Sequence, residues 1–380
     1  MHPERISPSD HPLSRQAREA ILEAPVFGES FSDHMVTMRW ANGAWGPLEL
    51  GAFAPLELSP ATLALHYGQS IFEALKAYAL LDGSVALFRP GRNAARMAAS
   101  AARIAMPTLP DGVFERACEL LVDADRDWVP TQDGAALYVR PFMFGAEAHL
   151  SVRPAQEYLF VVIASPVASY FGAHLRAISV AVESLDVRAT PGGTGAAKFA
   201  GNYAAGFAAH GRAGAAGHDQ VLWLDAAEHR WVEELNAMNV MFVWQRDGRR
   251  VLTTPPLGGT ILDGVTRDSL LRLAEDAAAG VGDPGPAPGP VDEVCVEATS
   301  IDALVAGAQD GTLREAFACG TAAVVAPIGS FQVGDRSVRV GDGTPGPVTV
   351  ELRQRLLDVQ GGRVEDRHGW VRRVDRHLAR

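Results

Sequence analysis

Hydrophobic and polar residues alternate along much of the chain, and this alternation gives the first indication of structure. The runs MVTMRW and SVALFRP predict short strands, while AALYVRPFMF and EYLFVVIASPV predict longer and more deeply buried ones. Further along, QVLWLD, VMFVWQ, VLTTPP and TAAVVAPI are rich in β-branched and aromatic residues, so we expect a second group of strands there. The pairs Asn42-Gly43 and Asp247-Gly248 follow two of these runs and are typical of tight hairpin turns.

Helical patterns separate the predicted strands. The alanine-rich residues 93–106 and the amphipathic residues 114–128 predict two helices, each of which is ended by a following proline. Another helical run begins at Thr266 and stops at Gly280, and a last one covers residues 349–359. Because helices alternate with strands throughout, the sequence predicts an α/β protein.

The grouping of these elements predicts how the chain is organised into domains. At 380 residues the chain is long enough for two domains with separate cores. We expect a smaller N-terminal α/β domain over residues 1–170, an interdomain linker over residues 171–190 and a larger C-terminal domain over residues 191–380. The stretch rich in glycine and proline at residues 280–290 is interpreted as a surface loop, because a strand-like piece and a helix follow at once.

Charge and cysteine content narrow the possible classes of function. A net charge of −11 disfavours nucleic acids and anionic membranes as partners, since both attract basic surfaces. The short basic stretch at residues 367–380 is interpreted as a solvated terminus. Three widely spaced cysteines form neither a disulfide framework nor a zinc pattern, which favours a reducing cytoplasm and no metal site. The sequence has no apolar run of about 18 residues, so no membrane span is expected.

Lysine is scarce in this chain, since among 34 Lys and Arg residues only Lys76 and Lys198 are lysines. For Lys76, in the strand-like run FEALKAY, we expect a packed stem and an exposed charge. Lys198 lies in GGTGAAKFAGNY, where glycines allow the backbone to approach a bulky planar group closely. A lysine amine can lose its proton and form a Schiff base, whereas a guanidinium cannot. Lys198 is therefore a candidate catalytic amine, with a flexible surface loop as the alternative interpretation.

Three other places have groups that could bind an anion or assist catalysis. Residues 264–266 begin a predicted helix, where free N–H groups and a hydroxyl suit a phosphate, although an ordinary threonine cap has the same pattern. Residues 318–321 are interpreted as a turn of small residues before a strand, whose backbone could also bind an anion. Glu233 and Glu234 follow a turn, and a carboxylate there could serve a ring nitrogen or be solvated.

Taken together, these segments resemble the branched-chain aminotransferases, within the class IV pyridoxal-phosphate-dependent aminotransferase family. The resemblance runs from about Phe27 to the HGW at residues 368–370, so it covers nearly the whole chain. Its specific segments include LHYGQSIFEALKAY, FRPGRNAARM, GGTGAAKFAGNY, EELNAMN, TPPLGGTILDGVTRDSLL and ACGTAAVVAP. The resemblance implies the two-domain α/β fold of the family, which is similar to that of D-amino-acid aminotransferase. It also implies pyridoxal 5'-phosphate as cofactor and a homodimer as the assembly.

The resemblance further implies roles for individual residues. Lys198 falls on the lysine that forms the Schiff base, and Glu234 falls on the acid that keeps the pyridine nitrogen protonated. The other residues placed at the cofactor are Arg96, Tyr203, Val265, Thr266, Gly320 and Thr321. Those placed at the substrate are Tyr67, Phe72, Tyr138, Arg140, Ala237 and Ala322. Arg96 is expected to bind the phosphate, and Arg140 is expected to help bind a carboxylate of the substrate.

The activity implied is transamination between leucine, isoleucine or valine and 2-oxoglutarate, with glutamate as the second product. Family members usually have glycine where this chain has Ala74 and Ala200, and commonly a glycine in the stretch aligned with residues 235–237. These substitutions leave open a transaminase of altered specificity, for another hydrophobic or a non-proteinogenic amino acid. The other alternative is a non-catalytic homologue that holds a phosphorylated ligand, which the retained Lys198 and Glu234 argue against.

Overall fold

The computed structural model describes residues 3–169, 175–281 and 290–378. The chain divides into two compact units. Unit 1 contains Met1–Tyr170, Ala197–Gly201 and Asp358–Arg380, and unit 2 contains Phe171–Ala196 and Asn202–Leu357. Residues 282–289 of the predicted surface loop and residues 171–174 of the predicted linker lie outside the described residues.

Strands and helices alternate along the described part of the chain. The strands are β1 (Glu4–Ile6), β2 (His34–Ala41), β3 (Ala44–Trp45), β4 (Leu48–Ala52), β5 (Ser70–Phe72), β6 (Leu75–Ala79), β7 (Val85–Phe88), β8 (Ala136–Gly145), β9 (Tyr158–Val167), β10 (Ile178–Val182), β11 (Gln220–Leu224), β12 (Val232–Leu235), β13 (Asn239–Arg246), β14 (Arg249–Thr254), β15 (Glu293–Val296), β16 (Leu313–Gly320), β17 (Val324–Val333), β18 (Arg336–Arg339) and β19 (Val371–Arg373). The helices are α1 (Arg15–Glu23), α2 (Leu63–Tyr67), α3 (Pro90–Arg103), α4 (Val113–Ala124), α5 (Ala200–Ala204), α6 (Phe207–Ala215), α7 (Val265–Ala278), α8 (Ile301–Asp310) and α9 (Pro347–Gln360). None of these helices has the length and apolar composition that a membrane span requires.

Unit 1 is built on a mostly antiparallel sheet with the strand order β1-β4-β2-β9-β8-β6-β7-β19, to which β3 and β5 also belong. One face of the sheet carries the hydrophobic core, where Leu137 and Val139 of β8 join Met97 of α3 and Phe114 of α4. Because side chains alternate along a strand, the even-numbered residues of β8 face the opposite side. That opposite face is where the predicted residues Tyr138 and Arg140 lie.

The C-terminal residues return to the sheet of unit 1. Strand β19 pairs antiparallel with β7, so that Val371 lies opposite Phe88. The ring of Trp370 packs edge-on against Phe88 at 5.8 Å, and the Arg89 guanidinium lies 4.6 Å from the Trp370 ring centroid. The basic side chains Arg372 and Arg373 are exposed, as expected of a solvated terminus, but the apolar residues Trp370 and Val374 are buried and complete a sheet edge, which the sequence did not predict.

Unit 2 is built on a second, mixed sheet with the order β12-β11-β10-β17-β16-β13-β14-β15, with β18 paired to β17. Its core contains side chains from most of these strands and from α8, including Val240, Phe242, Leu304 and Ile328. Helix α7 contacts β15 and β16 of this sheet. The two groups of strands expected from the sequence therefore form two separate sheets.

The predicted hairpin turns are confirmed by their backbone angles. Asn42 and Gly43 have φ values of 56° and 77°, and Asp247 and Gly248 have φ values of 49° and 79°. Two successive positive φ values match the right-handed twist of the flanking strands, and Asn, Asp and Gly tolerate them best. Helix α3 begins at Pro90 rather than at residue 93, because the fixed φ of proline suits the first helical position.

Candidate functional site

Lys198 is fixed through its backbone on both sides. Its N–H donates to Ser100 Oγ at 2.9 Å, and its carbonyl accepts a hydrogen bond from the N–H of Phe72 at 3.0 Å. An isolated bridge between Ile71 and Phe199 continues this pairing. The residue is 9 % exposed, and Nζ lies 4.7 Å from the centroid of the Phe72 ring. The amine is therefore held against strand β5 and helix α3, and the alternative of a flexible surface loop is wrong.

Three further predicted residues lie together with Lys198 in unit 1. The Arg140 guanidinium is 4.8 Å from the Phe72 ring centroid and 5.4 Å from that of Tyr138. Arg140 Nη2 donates to the Tyr138 hydroxyl at 3.2 Å. Phe27, which sequence reasoning did not single out, packs edge-on against Tyr138 at 5.0 Å. The sheet face thus combines aromatic surface with positive charge, which suits both an apolar group and a carboxylate.

Tyr67, another predicted substrate residue, contacts Leu150 and His66. It ends helix α2, and its hydroxyl donates to the carbonyl of Leu150 at 2.6 Å. Its side chain is exposed, and its ring centroid lies 6.4 Å from that of His66.

Arg96, the residue expected at the phosphate, forms a bidentate ion pair with Glu73. Its Nε and Nη2 each donate to one carboxylate oxygen at 2.8 Å. Asn93 Nδ2 donates to the same carboxylate at 2.8 Å and to the carbonyl of Ala74 at 3.0 Å. A fully buried carboxylate needs such partners, because an uncompensated charge in a core is costly. Sequence reasoning did not single out Glu73, which here fixes the plane of the Arg96 guanidinium.

The other lysine, Lys76, is buried, whereas the sequence predicted an exposed charge. It lies in β6, where only 3 % of the residue is exposed to solvent. Strand β6 lies between β7 and β8 inside the sheet of unit 1, and its neighbouring residues Leu75 and Ala77 are buried as well. The expected exposed charge at Lys76 is therefore wrong.

In unit 2, Glu234 is buried in β12, where Arg188, Asn239 and the backbone of Leu262 contact its carboxylate. Its Oε1 lies 3.1 Å from Arg188 Nη2, while Oε2 accepts hydrogen bonds from Asn239 Nδ2 at 2.8 Å and from the Leu262 N–H at 3.2 Å. Arg188 is itself buried and donates to the carbonyl of Thr260. Arg188 was missed by sequence reasoning, since nothing in the local pattern around it indicates that it meets a carboxylate.

Glu233 has a different environment from Glu234. Its Oε2 is buried and has no hydrogen-bond partner among the described residues. Burial raises the pKa of the Glu233 carboxyl, and this influence exceeds the opposing ones of a Thr260 hydrogen bond and the Arg188 charge. Both glutamates are buried, so the possibility that they are merely solvated is wrong. Glu234 is the better candidate for a fixed anion, because its ion pair and donors match an ionised carboxylate.

Among the described residues, no side chain caps the start of helix α7. Gly264 is its N-cap and supplies no side-chain hydrogen bond, and Thr266 lies inside the first turn. The alternative that Thr266 is an ordinary cap is therefore wrong. A side chain at position 264 would clash with the Asn239 side-chain oxygen, so glycine is required there. Uncapped N–H groups at Val265 and Thr266, at the positive end of the helix dipole, suit a phosphate.

The small residues at 318–321 belong mostly to strand β16 rather than to a turn. The strand ends at Gly320 and the turn covers residues 321–323, so the predicted turn was placed too early. A Cβ at Gly320 would lie 3.3 Å from the carbonyl oxygen of Ala237, which shows that these two backbones are adjacent. Ala237, Gly320, Thr321 and Ala322 therefore lie together at one end of the β13–β16 pair.

Tyr203 lies in the short helix α5, whose start is tied to the glycine-rich loop before it. Asn202 Nδ2 donates to the carbonyl of Thr194 at 2.8 Å, and Thr194 Oγ1 donates to Asn202 Oδ1 at 2.7 Å. These two bonds fix the backbone just before Tyr203. Among the described residues, no group of His, Cys, Asp and Glu could hold a metal ion.

Comparison with known proteins gives consistent matches. The family model described as Amino-transferase class IV matches residues 70–331. A probable branched-chain-amino-acid aminotransferase from Streptomyces coelicolor is 48% identical over 368 residues, which cover 96% of this chain and 97% of that relative.

Solved structures agree with these sequence matches. The branched-chain amino acid aminotransferase from Escherichia coli is 26% identical with a TM-score of 0.67, covering 90% of this chain and 99% of that one. The enzyme of the same name from Thermobaculum terrenum, in its PLP-form, has a TM-score of 0.67 at 23% identity and covers 89% of this chain and 98% of its own. The predicted α/β fold and the resemblance are confirmed: the chain belongs to the class IV aminotransferases.

Proposed function

We propose that the protein is a cytoplasmic, homodimeric, pyridoxal-phosphate-dependent transaminase that moves the amino group between leucine, isoleucine or valine and 2-oxoglutarate. The observation that carries this proposal is the amine of Lys198, which is held by its backbone and lies against Phe72. The names of the similar proteins support the branched-chain substrates. Three free cysteines, of which Cys118 and Cys319 are buried, suit a reducing cytoplasm.

The candidate residues fit the parts of pyridoxal 5'-phosphate one by one. Its aldehyde needs an amine such as Lys198, and its pyridine nitrogen needs a fixed carboxylate such as Glu234. Its phosphate needs several donors, which the first turn of α7 supplies at Val265 and Thr266. Arg96 adds a guanidinium whose orientation is already set. The described contacts of these residues are compatible with bound pyridoxal 5'-phosphate.

Three more residues are proposed to complete the cofactor site. The phenol of Tyr203 would donate a hydrogen bond to the oxygen on the cofactor ring. The backbone just before Tyr203 is fixed by the two hydrogen bonds between Asn202 and Thr194. Gly320 and Thr321 would add donors to the phosphate from the end of β16.

The chemistry then divides among residues of this chain. When bound, the cofactor supplies an electron sink that stabilises negative charge at the substrate Cα. Lys198 Nζ would take the proton from the substrate Cα as a general base and would then give it up again as a general acid. Glu234, held by Arg188 and Asn239, would keep the pyridine nitrogen protonated. The backbone next to Ala237 would receive the α-carboxylate of the substrate.

The substrate must be accepted in two forms, one with an aliphatic side chain and one with a distal carboxylate. Phe72 and Tyr138 offer aromatic surface to the aliphatic side chain, and Arg140 offers a cation to the carboxylate. Ala322, next to Thr321, would contribute its backbone to the α-carboxylate. Tyr67 remains a predicted substrate residue whose described contacts lie on an exposed surface of unit 1.

That exposed surface supports the proposed homodimer. Helix α2 and the loop after β8 are joined by a bridge between Thr62 and Ala148. Together they expose Leu65, Leu150 and Val152, the last with 86 % of its surface accessible. Large apolar side chains exposed on neighbouring segments are typical of a protein–protein interface. We propose that a second copy of this chain covers them.

A panel of amino donors with 2-oxoglutarate as acceptor tests the proposed function. We expect leucine, isoleucine and valine to have the highest kcat/KM. A preference for an aromatic, acidic or non-proteinogenic donor over all three would support the altered specificity that Ala74 and Asn236 leave open. Such a reordering would need only about 1–3 kcal/mol in transition-state binding.

The two lysines form a matched pair for testing the catalytic amine. Lys198→Arg should lose transamination by on the order of 10³-fold or more, because a guanidinium can neither bond to the cofactor nor shuttle the proton. Borohydride reduction should attach the chromophore to the Lys198 peptide in the wild type and not in this variant. Lys76→Arg should keep substantial activity. The assignment is wrong if Lys198→Arg is active and Lys76→Arg is not.

Glu233 and Glu234 form a second matched pair. Glu234→Gln should retain the cofactor and lose at least about 10²-fold in kcat, because a neutral amide cannot hold the pyridine nitrogen protonated. Glu233→Gln should lose far less, since the ion pair with Arg188 and the hydrogen bond from Asn239 are made by Glu234. Turnover is measured together with the absorbance of the bound cofactor. Equal losses in both variants would contradict the assignment to Glu234.

Sedimentation of the purified protein tests the homodimer. The wild type should be a dimer, and Val152→Glu should shift it towards monomer, because a charge would be buried at the interface. Leu81→Glu is the control, since Leu81 is also exposed, at 76 %, but lies in the turn between β6 and β7 and belongs neither to α2 nor to the loop after β8. A monomeric wild type, or the same shift in both variants, would contradict this interface.

A further inference from the structure

Lys76 is a buried amine to which the proposed mechanism gives no role. It is one of only two lysines in the chain, and 3 % of the residue is exposed. In the antiparallel pairing of β6 with β8, Lys76 lies directly opposite Tyr138. Residues directly opposite each other in an antiparallel pair project to the same face of the sheet. Lys76 therefore shares a sheet face with Tyr138.

The same sheet face carries the other candidate substrate residues of unit 1. Arg140 follows Tyr138 by two positions in β8, and Phe72 lies opposite Phe142 in the same strand. By the period of two along a strand, these side chains share the face of Lys76. Arg140 is the diagonal neighbour of Lys76, and such neighbours are about 7–8 Å apart, within reach of long side chains.

The opposite face of β6 shows why Lys76 has this orientation. Leu75 and Ala77 belong to the hydrophobic core of unit 1, which includes residues of α3 and α4. A lysine at either of those positions would place its charge in an apolar core at a high cost. Lys76 is instead on the face where Lys198 Nζ lies against Phe72.

The polar atoms of this face suit a carboxylate. Arg140 Nη2 donates to the Tyr138 hydroxyl at 3.2 Å, and Arg140 Nε is buried without a hydrogen-bond partner in the described residues. A second cation on this face adds to the attraction for an anion, since charge-assisted hydrogen bonds to a carboxylate are strong where water is excluded. The four-carbon stem of Lys76 is apolar and remains compatible with an aliphatic substrate side chain.

We propose that Lys76 is a specificity-determining residue that binds, together with Arg140, the distal carboxylate of a five-carbon dicarboxylate substrate, either the 2-oxo acid or its amino acid. This inference rests on the proposed transaminase function. It assigns to Lys76 the acceptance of the acidic substrate, whereas Phe72 and Tyr138 serve the aliphatic one. The charge of Lys76, rather than its amine chemistry, is the property that matters.

Two acceptors that react in the same half-reaction provide the test. The holoenzyme in its amino form is assayed with 2-oxoglutarate and with 4-methyl-2-oxopentanoate, and the ratio of their kcat/KM values is compared between variants. The ratio is the kcat/KM for 2-oxoglutarate divided by that for 4-methyl-2-oxopentanoate. In Lys76→Met it should fall by about 10- to 100-fold, the range expected for the loss of a charge-assisted hydrogen bond. Most of the change should be in KM for 2-oxoglutarate rather than in kcat.

Two further variants keep the test decisive. Lys76→Arg retains the positive charge, so its ratio should stay within about fivefold of the wild type. Lys76→Gln takes the place of Lys76→Met if the latter does not bind the cofactor, and it should show the same fall. An unchanged ratio in the uncharged variants, or an equal fall in Lys76→Arg, would overturn the assignment.

The failure of this inference can be told apart from that of the proposed function. If the wild type reacts with neither acceptor, the proposed transaminase function is wrong. If the wild type reacts with both and the uncharged variants lose both to the same extent, Lys76 is only structural and this inference is wrong. The ratio distinguishes these outcomes because general damage to the protein lowers kcat/KM for both acceptors equally and leaves their ratio unchanged.

Discussion

The antiparallel pairing of β6 with β8 is the constraint on which the candidate residues of unit 1 depend. It places Leu75, Ala77 and their partners in the hydrophobic core, so the residues between them must face the other side. A slip of β6 by one residue would turn Lys76 into the core and move Leu75 and Ala77 out of it. The apolar residues therefore fix the register, and the register in turn fixes where the positive charges lie.

Each unit also contains a buried glutamate held by one arginine and one asparagine. The two groups are Glu73 with Arg96 and Asn93 in unit 1, and Glu234 with Arg188 and Asn239 in unit 2. Removing one partner from such a group typically costs about 3–5 kcal/mol, because the remaining charge is left uncompensated in the interior. Replacing the whole group by apolar residues would often cost less. What these groups contribute to a site is orientation, since each fixes the direction of a charged side chain.

Local patterns in the sequence determined several features of this protein. The hairpins at Asn42-Gly43 and Asp247-Gly248 were predictable because two successive positive φ values require particular residues. Strands β8 and β9 and helices α3 and α7 were predictable because their periodicity is complete within a short segment. Lys198 was identifiable as a candidate amine because lysine is so rare in this chain.

Other features were decided only by the tertiary structure. The burial of Lys76, the ion pair between Arg188 and Glu234 and the pairing of β19 with β7 all join segments that are distant in sequence or depend on which strands are neighbours. A strand pattern shows that alternate residues face opposite sides, but it does not show which strands flank it or what covers each face. Chain composition and periodicity are local properties, whereas the partner of a buried charge is set by how distant segments pack together.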